Sequence, residues 1–227
     1  MPKIKTALIS VYDKTGIADF ARSLEQLGIQ LISTGGTSKL LSENGIGHKC
    51  VEDITGFPER LEGRVKTLHP NIFMGILAKR AQHDHMNELE NAGLHGIDLV
   101  VVNLYPFSQT IRKPDVTLEE AVEQIDIGGV ALLRAAAKNF RDVCPVTSPD
   151  DYEVIIEMLK AHDTALPDDF CMQRAASVFL HTSRYDAFIS KYLTGELKAA
   201  EHIPEHFVEV FDKVQDLRYG ENPHQKA

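Results

Sequence analysis

Ile97-Asp98-Leu99-Val100-Val101-Val102-Asn103-Leu104 is the stretch on which the fold turns. Its β-branched residues suit a pleated, packed surface. Its nearly unbroken apolar run is that of a strand covered on both faces, where a half-exposed strand would alternate. The same signature stands at Thr6-Ala7-Leu8-Ile9-Ser10-Val11. Between the two, residues 16–27 place Ile17, Phe20, Ala21, Leu24 and Leu27 at helical spacing, and Gly28 stops that helix. Ile29 to Ser33 predicts a second short strand, and Ser38 to Asn44 a short helix ended by Gly45. Further on, Thr117-Leu118-Glu119-Glu120 reads as a capping box opening a helix with Leu118, Ala121, Val122 and Ile125 on one face. Val130 to Phe140 predicts an alanine-rich helix, and Val143 to Val146 a late strand. Strands separated by helices predict an α/β fold, a parallel sheet with helices on both faces. After Ser148 the pattern changes to helices over 150–162 and about 168–193, a helical extension packed on the sheet domain.

The composition fits that architecture. Of 227 residues, 43% are hydrophobic and 25% charged, which excludes a disordered or fibrous chain. A net charge of -9 argues against broad nucleic-acid binding, but leaves room for a small anion held by a local cluster of cations. Cys50, Cys144 and Cys171 are odd in number, far apart and free of any C-x-x-C pair, so neither a disulfide framework nor a zinc site is expected. The first apolar run ends at Tyr12-Asp13-Lys14, too short for a signal peptide, and no stretch is long enough to span a membrane. A reduced, cytoplasmic protein is the expectation.

In an open parallel sheet, ligands sit beyond the carboxyl ends of the strands. Three clusters begin there: Ser10, Tyr12, Asp13 and Lys14; Thr34-Gly35-Gly36-Thr37; and Asn103-Leu104-Tyr105-Pro106-Phe107. The glycines of the second would let backbone N–H groups approach an anion, its threonines add hydroxyls, and the following helix points its N-terminus at the site. Lys14 could supply the counter-charge. A plain strand-to-helix turn would carry the same glycines, and the motif is neither a P-loop nor G-x-G-x-x-G, which disfavours ATP and NAD. A further cluster, Arg64-Val65-Lys66-Thr67-Leu68-His69-Pro70, is either a solvated basic loop or a second cationic wall for an anion. In Ile125-Asp126-Ile127-Gly128-Gly129, Asp126 is either an ordinary N-cap or a carboxylate held at a glycine turn for chemistry. His83-Asp84-His85 has a spacing that points helical imidazoles apart, and no metal site is expected.

Taken together these residues resemble a known family. Ser10-Val11-Tyr12-Asp13-Lys14-Thr15-Gly16, Ser33 to Thr37, Gly56-Phe57-Pro58-Glu59, Gly63 to Pro70, Asn103 to Phe107, Ile125 to Gly129 and Arg134-Ala135-Ala136-Ala137-Lys138-Asn139 closely resemble, in order, the IMP cyclohydrolase domain of the bifunctional purine biosynthesis protein. In that family the domain is joined to an AICAR formyltransferase. Leu217-Arg218-Tyr219-Gly220-Glu221-Asn222-Pro223-His224-Gln225 resembles the opening of the formyltransferase, so the chain reads as a fragment, active as a cyclohydrolase and not as a formyltransferase. The expected organisation is a cyclohydrolase core over 1–147, its helical extension over 148–212 and the start of the formyltransferase domain over 213–227.

The resemblance implies a methylglyoxal-synthase-like sheet flanked by helices. It implies ring closure of 5-formamidoimidazole-4-carboxamide ribotide (FAICAR) to inosine monophosphate with loss of water, the work of a cyclic amidine hydrolase running in the dehydrating direction. It implies no metal or organic cofactor for that step, with 10-formyltetrahydrofolate needed only by the absent domain. Phosphate contacts carry over to Lys14, Thr34, Gly35, Gly36 and Thr37, and base and ribose contacts to Arg64, Lys66, Thr67, Asn103, Asp126 and Ile127. Ser10, Tyr12, Asp13, Val65 and Gly128 join the expected substrate-binding set. Catalysis carries over to Lys66, Tyr105, Asp126 and Lys138. Arg218, Tyr219 and His224 would be a remnant of the formyltransferase site. Tyr12 departs from the smaller residue of some relatives.

Two other classes use the same fold: an effector-binding regulatory module, which needs the phosphate turn without the set Lys66, Tyr105, Asp126 and Lys138, and a lyase like methylglyoxal synthase, whose carboxylate and histidine arrangement is not found. Asp126 and Lys138 are twelve positions apart, roughly 18 Å along a helix. Gly128-Gly129 could delay the helix start and shorten that distance only in part. A homodimer in which one subunit lends Lys138 to the other is therefore expected. The expected partners are the small ribotide and a second copy, with no nucleic acid and no membrane.

Overall fold

The computed structural model describes residues 3–196, 206 and 208–217. β1 (Thr6–Val11) leads through α1 (Ile17–Gln26) to β2 (Gln30–Ser33) and α2 (Gly35–Glu43). The two-residue β3 (Lys49–Cys50) follows, then α3 (Val51–Thr55), α4 (Pro70–Leu77) and α5 (His83–Asn91). β4 (Leu99–Asn103) is the second central strand, followed by α6 (Phe107–Thr110), α7 (Leu118–Glu123) and α8 (Gly128–Lys138). β5 (Cys144–Val146), α9 (Tyr152–Ala161) and the long α10 (Asp168–Glu196) complete the order.

The strands form one parallel sheet in the order β3-β2-β1-β4-β5. The chain winds outward from β1 to β3, then crosses back to place β4 on the other side of β1. That reversal opens a crevice between the carboxyl ends of β1 and β4. Side chains alternate across the sheet as the pleat requires. Ala7, Ile9, Val11, Leu99 and Val101 pack with α1 and α9 on one face. Leu8, Val100 and Val102 pack with α4, α8 and α10 on the other. The unbroken apolar runs follow directly, because both faces are covered. Pro145 lacks a backbone donor and sits in β5, an edge strand, where that loss is tolerated.

The amino end of the sheet is tied by Asp98. Its carboxylate accepts the backbone N–H groups of Lys5 and Thr6 at 2.9 and 3.1 Å, and faces Arg80 Nη2 at 3.3 Å. Arg80 in turn donates to the carbonyls of Gly75 and Ile97. β1, β4 and α4 are joined at one point by these bonds.

Several expectations shift. The Thr34–Thr37 glycine turn is the start of α2 itself: Thr34 is the cap and Gly35 the first helical residue. Leu118 and Val122 of α7 are exposed and only Ala121 is buried, because a helix ending at Glu123 is too short to bury a whole face. α8 begins at Gly128 and runs unbroken, so the glycines do not delay it. α10 extends to Glu196 and covers α8, β5 and α6. His83 and His85 lie on α5, where the His85 Nδ1 accepts from the Lys79 N–H. No helix among the described residues is long and apolar enough to cross a membrane.

Candidate active site

The crevice predicted by the strand order is a cleft of about 670 Å³. Its walls come from the ends of β1, β2 and β4, from the loop before α4, and from the turn between α7 and α8.

At one end lies the N-terminus of α2. Lys14 Nζ donates to the carbonyl of Val11 and to Thr37 Oγ1, the latter at 3.1 Å. The Thr37 hydroxyl also accepts from the N–H of Val11 at 3.2 Å, which welds the end of β1 to α2. Burial, then the nearby Lys66 ammonium, lower the Lys14 pKa. Gly35 has φ +55, and a Cβ there would stand 3.1 Å from Lys66 Nζ, so glycine serves both the left-handed backbone and the approach of the ammonium. Thr34 is 2% exposed, yet its Oγ1 has no hydrogen-bond partner. Two ammonium groups, a positive helix end and an unpartnered buried hydroxyl thus converge at this end of the cleft, with the nearest carboxylates, Asp13 and Asp126, acting on Lys14 and Lys66 from either side. Ser10 and Gly36 line the same region.

At the other end is Asp126. Its carboxylate accepts the N–H of Gly129 at 2.7 Å, and the nearby backbone N–H of Tyr105 and the Lys66 ammonium favour its charged form. Burial outweighs these and raises its pKa. The N-cap and chemical readings of Asp126 are therefore compatible: the bond to Gly129 opens α8 and fixes the carboxylate. Tyr105 is raised as well, by burial and then by the charges of Asp126 and Glu59. The rings of Tyr12 and Tyr105 meet edge to face at 5.4 Å, forming an aromatic wall. Thr67 is buried beside Gly128, where a Cβ would stand 3.0 Å from Thr67 Oγ1, and the exposed Ile127 borders the cleft.

Of the other residues of the expected set, Asn103 and Arg64 line the cleft, and Asp13, Val65 and Lys138 do not. Asn103 lines the cleft, but its Oδ1 accepts from the N–H groups of Tyr12 and Asp13 at 2.6 and 2.8 Å, and its Nδ2 donates to the Asp13 carbonyl. It is a brace for the β1–α1 loop. The Asp13 carboxylate bonds Thr15, which lowers its pKa, and it does not line the cleft. Val65 is also outside, its backbone paired with Arg60 across a tight loop in which Leu61, Glu62 and Gly63 are all left-handed. That loop carries Arg64 into the cleft, where its guanidinium pairs with Glu123. Lys138 is exposed at the far end of α8, roughly 15 Å from Gly128 by helical rise, and is not brought to this cleft by its own chain. Arg218, Tyr219 and His224 lie outside the described residues.

The cleft also holds Glu59, Glu62 and Glu123, none of them assigned from sequence. Glu59 was in view within the Gly56-Phe57-Pro58-Glu59 segment. Glu123 carried no signal in the sequence, and the structure ends α7 there. Among the described residues no group of His, Cys, Asp and Glu is arranged to hold a metal.

Comparison with known proteins adds three findings. The MGS-like domain family matches residues 16–131. The AICARFT/IMPCHase bienzyme family matches residues 136–227. The crystal structure of ForH is similar, with a TM-score of 0.75 and 33% identity over 82% of this chain and 95% of that one.

Proposed function

Because the chain belongs to the MGS-like domain family and continues into the AICARFT/IMPCHase bienzyme family of purine biosynthesis, we propose that its cleft closes FAICAR to inosine monophosphate. The observation that carries this reading is the pairing, within one cleft, of the cationic N-terminus of α2, where Lys14 and Lys66 meet, with the half-buried Asp126 carboxyl. The first suits a ribotide phosphate. The second suits proton removal from a weak nucleophile.

The 5′-phosphate sits on Thr34, Gly35, Gly36 and Thr37 with Lys14 as counter-charge, and the base lies between the Tyr105 wall and Asp126. The carboxamide nitrogen attacks the formyl carbon, forming the new C–N bond, and gives a proton to Asp126. A positioned base contributes roughly 10²–10⁴-fold. Its raised pKa makes Asp126 a stronger base than a solvated carboxylate. The formyl oxygen takes up negative charge, which Lys66 stabilises. That oxygen then leaves with two protons as water, one from each of two N–H groups, and the C=N bond forms. Both reacting groups sit side by side on one ring, so orientation supplies much of the rate. No cofactor is needed for this balance. Lys138 is supplied by a second copy of the chain, making the working unit a homodimer.

The test is direct: FAICAR in, inosine monophosphate out, followed by absorbance. Ring closure by the wild-type chain, together with binding of inosine monophosphate but not inosine, is the expected result. No acceleration over the uncatalysed reaction would refute it.

A further inference from the structure

One side chain outside the cleft reaches the turn that carries Asp126. Tyr185 projects from α10, fifty-nine positions along the chain, and is 8% exposed. Its hydroxyl accepts the backbone N–H of Asp126 at 2.8 Å and donates to the carbonyl of Gln124 at 2.8 Å. Two backbone groups of the α7–α8 turn, one on each side of Ile125, are thereby held by one oxygen. The ring is wedged edge-on against Phe107 at 6.3 Å, just beyond the Tyr105 segment. Neither bond is part of any helix or strand, and without them two half-buried backbone groups lose the partner that fixes the turn.

We propose that Tyr185 is a positioning residue for ring closure: it clamps the 124–126 turn so that the Asp126 carboxylate is held beneath the Tyr105 and Gly129 N–H groups at the reacting end of the cleft. This rests on the cyclohydrolase reading and extends it, because it gives the helical C-terminal region a part in the chemistry. The titratable and charged groups facing Asp126 are Lys66 from the loop before α4, Tyr105 from the end of β4, and Tyr185 from α10. Burial pushes the Tyr185 phenol up to about 12, so it stays a neutral donor throughout the working range. Releasing the turn lets the Asp126 carboxyl move toward water and its pKa fall toward the ordinary carboxyl value.

The test compares Tyr185→Phe with Tyr192→Phe, which also removes a hydroxyl from an α10 ring packed on Phe107. For Tyr185→Phe, kcat on FAICAR falls roughly tenfold with KM and the affinity for inosine monophosphate unchanged, as expected for two lost hydrogen bonds that do not touch substrate. The acid limb of its kcat profile moves to lower pH. A carbon-13 titration of the Asp126 carboxyl, assigned with Asp126→Asn, moves the same way, and Tyr192→Phe changes none of these. An unshifted carboxyl titration in folded Tyr185→Phe overturns the clamp. So does a loss of kcat that comes with an equal loss of inosine monophosphate binding, which would mark a merely structural role. A wild-type chain inactive on FAICAR would overturn the cyclohydrolase reading instead, since the carboxyl titration tests the clamp without turnover.

Discussion

Thr34→Val separates stability from binding at a single atom. Valine keeps the shape of threonine and replaces the hydroxyl with a methyl group. In the free protein Thr34 Oγ1 is buried without a partner, a state that costs about 1–3 kcal/mol. Removing it therefore stabilises the ligand-free chain, by about 1 kcal/mol if the methyl only partly fills the site. With the ribotide phosphate bound, the same hydroxyl gains a charged acceptor worth about 1.5–3 kcal/mol. Its loss raises the Kd for inosine monophosphate roughly 10- to 100-fold. The two effects have opposite signs, which a general disturbance of α2 would not produce. Urea unfolding without ligand reads the first, and calorimetric titration with inosine monophosphate reads the second. Ligand protection gives a third reading: a concentration of 100 Kd stabilises wild type by about 2.7 kcal/mol, and the same concentration stabilises a 30-fold weaker variant by only ~0.9 kcal/mol. A less stable free variant, or an unchanged affinity for inosine monophosphate, would refute the reasoning.

Asp126→Asn abolishes ring closure while retaining inosine monophosphate binding; equal activity in a stopped assay would remove Asp126 from the mechanism. Because burial raises the Asp126 pKa above the 3.8 of a free carboxyl, wild-type kcat falls as pH drops through that raised value. The folded state also binds more protons than the unfolded one between the two values, so Asp126 makes stability fall as pH rises through that window, a slope that Asp126→Asn lacks in urea titrations at several pH values. Mixing Asp126→Ala and Lys138→Ala chains restores activity once subunits exchange, and no recovery after confirmed exchange would place both residues in one chain. Asp98→Ala deprives the Arg80 guanidinium of its carboxylate and two backbone N–H groups of their acceptor, costs about 3 kcal/mol of unfolding free energy and spares the KM of the properly folded fraction.

What the sequence disclosed and what it hid divide along physical lines. β1 is observed over Thr6–Val11 as expected, and α1, β4 and β5 within a few residues, because strands buried on both faces and amphipathic helices write their environment locally. Residues 51–96 carried a legible cationic motif at Arg64–Pro70 but no legible helix or strand period. Their helices are short, and α4 buries Ile72, Gly75 and Ile76 within eight residues, too few to establish a period. The cleft was legible where motifs follow strand ends: Lys14, Thr34, Gly35, Thr37 and Tyr105 all line it. It was illegible where one side chain serves a distant backbone. Asn103 lines the cleft as expected, but its amide also braces the backbone of Tyr12 and Asp13, a second role with no local signal. Tyr185 had no local signature, since its two bonds close contacts across some sixty residues.

The knot of Asp98, Arg80 and the N–H groups of Lys5 and Thr6 sits at the amino end of the sheet, while the cleft occupies the carboxyl end. The two ends share strands but no side chains, because the tether uses the residues at the start of β1 and just before β4, and the cleft uses those at the strands' far ends. Substitutions that reshape the rim, such as exchanges at Tyr12, Arg64 or Ile127, leave the tether intact, and changes at the tether leave the rim's chemistry intact. A lineage carrying this chain can thus vary the ligand it accepts at nearly constant foldability, and its tolerance for new specificities is set by how far the anchoring end stands from the working end.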